Sequence, residues 1–246
     1  MTDKPVLTVI GGGLAGCEAA HQAAERGCKV FLIDMKPHRL SPAHHSDQLG
    51  ELVCSNSLRS NDQTSAVGLL KEEMARCNSL VIKTAYETQV PAGKALAVDR
   101  EKFGAEITKT MQAHPLIEIV HREVTEIPPT SDHPVILATG PLTSEPLAQS
   151  LGIFTGKERL AFYDAIAPIV YADSLDMDTV YCKSRYDDGP GDYLNCPMDE
   201  ESYQTFITEL AKGNYVPLKD FEDIKYFEGC LPIEVIRSRG DDTLRY

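Results

Sequence analysis

A strand-like run, Val6-Leu7-Thr8-Val9-Ile10, feeds straight into Gly11-Gly12-Gly13-Leu14-Ala15-Gly16, and the next apolar run, Val30-Phe31-Leu32-Ile33, closes on Asp34. Few folds accommodate that order. Gly11 permits the tight turn after a strand, Gly13 lets the backbone approach a pyrophosphate, and Gly16 lets the following helix pack close to the strand. Gly12, Leu14 and Ala15 complete a turn whose unpaired N–H groups sit at the positive end of a helix dipole, where phosphates bind. Asp34 lies eighteen residues beyond Gly16, the spacing at which an acid accepts hydrogen bonds from a ribose 2′-OH. A ligand-free glycine turn is the plainer alternative. Strand, helix and acid together favour a dinucleotide-binding βαβ unit.

The rest of the chain extends this unit. Leu14 to Arg26 is alanine-rich and stops at Gly27, a good residue just past a helix end. Lys29 to Met35 reads as a strand covered on both faces. Val67, Leu70, Met74, Cys77 and Val81 are spaced as one helix, and Phe103, Ile107 and Met111 as another with Asp99 as its N-cap. Residues 117–119 and 124–127 read as two strands around a short turn, and residues 135–138 as a buried strand ending in Thr139-Gly140. Strand-like pieces at 167–171 and 179–183 follow, then a helix from Glu200 to Lys212 with Tyr203, Phe206, Ile207 and Leu210 on one face. The fold class is therefore α/β. Residues 1–150 are expected to form the first part of a Rossmann-like FAD-binding domain, and residues 151–246 the start of an inserted smaller α+β domain. The chain reads as stopping at Tyr246 where another strand would begin, with no closing helix, as in an N-terminal portion of a longer protein.

Thr139 and Gly140 bear on which dinucleotide. A strand ending in Ala-Thr-Gly, about a hundred residues after the glycine turn, is a feature of two-dinucleotide flavoproteins, where small residues let the chain pass close to the nucleotide. It moves the expectation from a nicotinamide dehydrogenase towards FAD. Twenty-four basic and thirty-seven acidic residues give a net charge of −13, which argues against a broad electrostatic footprint for nucleic acid while leaving room for a local patch. No apolar run approaches the roughly 20 residues of a membrane span. Seven cysteines without a CxxC pair fit reduced thiols in the cytosol. Free cysteine is most often a buried, inert side chain, the reading taken for Cys17, Cys28, Cys77 and Cys182, with Cys196 left open. His44-His45 with Asp47 lacks a third ligand at metal-site spacing, so no metal is expected. Arg59, Lys183 and Arg185 are candidates for anionic groups against the commoner fate of solvated charge.

Several blocks occur in one order: the glycine turn; Pro42-Ala43-His44-His45; Glu51-Leu52-Val53-Cys54-Ser55-Asn56-Ser57-Leu58-Arg59-Ser60-Asn61; and Ala138-Thr139-Gly140-Pro141-Leu142-Thr143-Ser144. Phe162-Tyr163-Asp164-Ala165, Lys183-Ser184-Arg185-Tyr186, Tyr193-Leu194-Asn195-Cys196-Pro197-Met198 and Phe227-Glu228-Gly229-Cys230 follow. The series resembles the folate- and FAD-dependent tRNA (uracil-5-)-methyltransferases over the whole chain, and the block at 52–61 is specific to them. The family carries glutamate where this chain has Asp34; either carboxylate can hold a ribose.

The resemblance implies an enzyme that forms 5-methyluridine in the T-loop of tRNA. In that reaction 5,10-methylenetetrahydrofolate supplies the one-carbon unit, FAD carries it, and NAD(P)H supplies electrons. It implies Cys230 as the thiolate that adds to uracil C6, because C5 is a poor nucleophile until C6 is attacked. It implies Cys54 as a second functional cysteine on the flavin side. Two other readings stand beside it: the related FAD protein that modifies wobble uridines with a partner subunit, and a truncated, non-catalytic nucleotide-binding module. The former is not expected to carry Cys54-Ser55-Asn56-Ser57 or the Phe-Glu-Gly-Cys run.

Overall fold

The computed structural model describes residues 4–53, 55–129, 133–156, 170–184, 191–214 and 231–245. The chain separates into two compact units, residues 1–160 and residues 161–246.

In the first unit, β1 (Val6–Ile10) leads through the glycine turn into α1 (Leu14–Glu25), which ends before Gly27 and is followed by β2 (Lys29–Asp34). A long excursion then carries β3 (Ser57–Ser60), α2 (Ala66–Arg76), α3 (Leu80–Glu87), β4 (Gln89–Val90) and β5 (Ala95–Val98). The chain returns through α4 (Arg100–Ala113) to β6 (Ile117–His121), β7 (Val135–Leu137) and α5 (Glu145–Thr155), a helix that runs on past Leu151. Four strands form a parallel sheet in the order β6-β2-β1-β7. The order reverses between β1 and β7, and open α/β sheets bind ligands in the crevice beyond the carboxyl ends of their strands at such a switch. The register brings Ile10, Ile33 and Leu137 level, so the glycine turn, Asp34 and Thr139 all emerge at the same sheet end.

Burial fixes this frame. Val9, Val30 and Leu32 are fully buried against Cys17, Ala20 and Ala24 of α1 and against Phe103, Ile107 and Met111 of α4. Each large apolar side chain so buried contributes roughly 1.5–3 kcal/mol. Asp99 caps α4 as its side chain accepts from the Lys102 N–H at 3.1 Å.

Four expectations are corrected. The helix read through Val67 to Val81 is two helices, α2 and α3. Asn78 adopts φ 57°, and Ser79 starts the second as its side chain accepts from the Ile82 N–H. Its expected inner face is also turned, since Leu70 is 54% exposed while Lys71 is 4% exposed. Residues 124–127 form no strand: Val124 and Ile127 pack instead on Ile10, Ile33 and Leu147. β7 is not buried, because it is an outer strand of the sheet among the described residues, with Ile136 38% exposed.

In the second unit, β8 (Tyr181–Cys182) pairs antiparallel with β9 (Leu194–Asn195). α6 (Glu200–Lys212) follows its expected bounds, capped by Asp199, and buries Tyr203 and Ile207 while Phe206 stays outside. The short helix α7 (Ile233–Ser238) and a 3-10 turn at Thr243–Arg245 form the unit's last described elements. Of the strand-like piece at 167–171, only Val170 and Tyr171 lie within the described residues, and neither is in a strand.

Candidate functional site

Gly11 turns the chain at φ 106°, and a Cβ there would sit 2.5 Å from the Ala138 carbonyl oxygen. The segment ending β7 therefore presses directly on the glycine turn. A Cβ on Gly16 would lie 1.7 Å from the Gly11 carbonyl oxygen, so only glycine allows α1 to start this close to β1. Gly13 differs: a Cβ there meets nothing within 4 Å. Open space lies in front of Gly13, at the N-terminus of α1. No side chain caps that end and no acid stands in its first turn, so the N–H groups opening the helix, including those of Leu14 and Ala15, are left for an anion.

Asp34 is 9% exposed at the end of β2. Its Oδ2 accepts from the Gly12 N–H at 2.5 Å and its Oδ1 from the Lys36 N–H at 2.8 Å. A carboxylate has about four acceptor positions, so two bonds hold it while capacity for hydroxyl donors remains. The structure thus gathers Gly11, Gly12, Gly13, Leu14, Ala15, Gly16, Asp34 and Thr139 at one end of the sheet. Gly140, at φ 68°, follows in a turn where the Thr143 hydroxyl bonds Thr139 Oγ1 at 2.6 Å and the Gly140 carbonyl at 2.8 Å.

The excursion after β2 contributes residues that the motifs did not flag. Lys36 is 3% exposed, and its ammonium pairs with Glu51 at 3.6 Å and donates to the Gln48 carbonyl. Glu51 accepts from the His45 N–H at 2.8 Å and the Ser46 N–H at 3.4 Å. Burial pushes the Glu51 carboxyl up, but the His45 N–H and the Lys36 charge outweigh it, and the net shift is downward. Burial and the Lys36 charge hold His44 below its ordinary value, and its Nδ1 lies 2.5 Å from Ser41 Oγ. The Gly50 N–H donates to the Gly12 carbonyl at 2.8 Å, fastening this loop to the glycine turn. A buried lysine twenty residues after Gly16 resembles any polar residue in sequence; only its partner, fifteen residues on, reveals it.

Cys54 and Cys230 lie outside the described residues. Cys17 is buried, its thiol 3.3 Å from the Gly12 carbonyl, and burial pushes its pKa up to about 12, so it is inert. Cys28 is half-buried, whereas Cys77, Cys182 and Cys196 are exposed, which corrects the buried reading of Cys77 and Cys182. Among the described residues no three His, Cys, Asp or Glu side chains converge as a metal group, and no helix is long and apolar enough to cross a membrane.

An open parallel sheet, a switch-point crevice, an uncapped helix N-terminus and an acid at the neighbouring strand end define a Rossmann-like α/β protein. The sequence profile of the family described as Glucose inhibited division protein A matches residues 6–246, and the chain belongs to that family. It is 67% identical over 246 residues to the methylenetetrahydrofolate--tRNA-(uracil-5-)-methyltransferase TrmFO of Desulfotalea psychrophila, covering 100% of this chain and 55% of that protein. Proteins of the same description from Lysinibacillus sphaericus and Shouchella clausii are 53% and 54% identical, with 55% and 56% of their lengths covered. The chain spans about half the length of the curated relatives it matches. Among solved structures, NikD, an unusual amino acid oxidase, aligns at 16% identity with a TM-score of 0.36, covering 61% of this chain and 55% of that one.

Proposed function

We propose that this chain holds FAD on the turn Gly11–Gly16 and serves the folate-dependent methylation of C5 of a T-loop uridine in tRNA. The observation that carries the reading is the open space before Gly13 at an uncapped helix start, beside an Asp34 already oriented by two backbone N–H groups. The identity to proteins named for this reaction supports it.

The N–H groups opening α1 bind the pyrophosphate, and Asp34 accepts a hydrogen bond from a ribose hydroxyl. Thr139 and Gly140 leave the nucleotide room beside β1. When bound, FAD supplies the redox chemistry that turns a methylene unit from 5,10-methylenetetrahydrofolate into a methyl group, with NAD(P)H as the electron source. The target uridine leaves its stack. The Cys230 thiolate adds to uracil C6, C5 then bonds the one-carbon unit, and loss of the C5 proton expels the thiolate. Cys54 acts on the flavin side. In this reading residues 1–150 are the first part of the FAD domain, residues 151–246 begin an inserted domain that meets substrate, and the protein works in the cytosol.

Gly13→Val tests the nucleotide site, because a Cβ there meets no described atom within 4 Å and the branched carbons enter the space proposed for the pyrophosphate. In this chain extended to its relatives' length, the variant is expected to fold and to lose FAD on gel filtration. Unchanged flavin absorbance in a folded variant refutes the site. For the cysteines, tRNA carrying 5-fluorouridine traps a covalent adduct, since fluorine does not leave as a proton does. Cys230→Ala is expected to abolish the adduct and keep the yellow colour, whereas Cys54→Ala disturbs flavin content first. A denaturing gel showing the reverse exchanges the two roles.

A further inference from the structure

Lys71 is 4% exposed on α2, yet its ammonium donates only to backbone carbonyls, of Ser60 at 2.7 Å and of Val67 at 3.4 Å. No carboxylate pairs with it among the described residues. The acids nearby in sequence are engaged elsewhere: Asp62 with Lys94 at 3.2 Å and with Thr64, and Glu72 with Arg76 at 2.9 Å. The charge that does reach Lys71 is a like one, from Arg59, the residue before Ser60. After burial itself, that charge lowers the Lys71 pKa.

Arg59 is exposed, and its guanidinium has no acceptor among the described residues. Its backbone stands at φ 66°, a left-handed conformation that costs a non-glycine residue energy and persists at functional sites. Its N–H donates to Ser57 Oγ at 3.1 Å, and the Ser57 N–H to Ser55 Oγ at 3.1 Å. These bonds use the oxygens as acceptors, leaving both hydroxyl protons without an acceptor among the described residues. In a chain of net charge −13, two cations and two hydroxyl donors stand on or against the segment Ser55–Ser60, with no carboxylate bonded to any of them among the described residues. Leaving a buried charge uncompensated is costly, and an arriving oxyanion compensates it.

We propose that Arg59 and Lys71, with Ser55 and Ser57, form an oxyanion subsite for substrate. Arg59 contacts the anionic group and Lys71 supplies its charge from beneath. The shared chemistry is a phosphodiester oxygen or a carboxylate, and both occur in the reaction proposed above, as tRNA backbone and as the glutamate tail of folate. The subsite rests on that reading for its choice of probes.

The test uses the whole chain with two probes, a T-arm RNA hairpin and 5-formyltetrahydrofolate as a stable folate, each titrated at several low salt concentrations. Arg59→Gly relieves the backbone strain, so its melting temperature is expected to match or exceed the parent's, while affinity for one probe falls roughly tenfold. If the RNA is the source, the slope of log affinity against log salt shrinks by about one; if folate is the source, RNA binding is unchanged. Arg59→Gln, at an exposed position, is expected to repeat the loss, and Lys71→Met to weaken the same probe. FAD retention, which tests the proposed function separately, is expected to stay at the parent level in Arg59→Gly. Parent-like affinity for both probes in the Arg59 variants overturns the subsite. So does absence of binding of both probes to the parent, or loss of FAD in place of probe binding.

Discussion

Two lysines in the first unit are almost equally buried, Lys36 at 3% and Lys71 at 4% exposure, but their surroundings are opposite. Lys36 faces a carboxylate, Glu51, which also gathers the backbone N–H groups of His45 and Ser46. The charge is internally neutralised, and the ion pair holds a loop that is fastened through Gly50 to the glycine turn. Lys71 faces carbonyls and another cation. A buried cation with a built-in partner serves the architecture. One that meets only carbonyls among the described residues keeps its charge for the arriving oxyanion proposed above.

The largest effect that separates the two is on stability. Lys36→Met leaves the half-buried Glu51 without its cation, held only by the His45 and Ser46 N–H groups, and is expected to destabilise the first unit by about 3 kcal/mol. The double variant Lys36→Met/Glu51→Leu recovers much of the loss. Lys71→Met strands no opposite charge, and its loss is expected to stay within about 1 kcal/mol of the parent. Urea unfolding of the variants measures both, and equal losses erase the contrast.

A smaller effect is expected from pH. Folding lowers the Glu51 carboxyl from its ordinary 4.5, so this group's contribution is complete above that value and is lost as pH falls through the lower folded value. His44 is lowered from 6.5 and binds fewer protons folded than unfolded, so acidification below about that pH also destabilises. Both act in one direction. Melting temperature is therefore expected to fall from about pH 6.5 downward, and more steeply below 4.5, with Glu51→Gln flattening the lower limb. A parent whose stability is flat from pH 7 to 4 breaks the assignment.

What was legible follows from how local each signal is. The glycine turn, α1, β2, α4 with its Asp99 cap, and α6 are written in spacings of three and four residues or in residues adjacent to the turn they make. The α2–α3 break was missed because Val67, Leu70, Met74, Cys77 and Val81 continue a helical period across Asn78. The true stop is a left-handed backbone at Asn78 and a cap by Ser79, whose hydroxyl donates to Glu18 of α1 at 2.8 Å. The apolar residues at 124–127 were read as a strand because contact with Leu147 and pairing in a ladder make the same demand for apolar side chains.

The candidate site divides in the same way. The residues from Gly11 to Gly16 and Asp34 were legible because the turn, the open helix end and the strand that carries the acid lie within one βαβ unit, where chain geometry leaves little freedom. The sequence alone determined that unit, the parallel α/β class and the family resemblance. Only tertiary structure decided that Lys36 meets Glu51, that Gly50 fastens to Gly12, that Ala138 presses on Gly11, and that Lys71 turns inward while Leu70 turns out. The physical reason is that a side chain's charge or polarity shows that a partner is needed, whereas which partner it finds depends on segments brought together by folding.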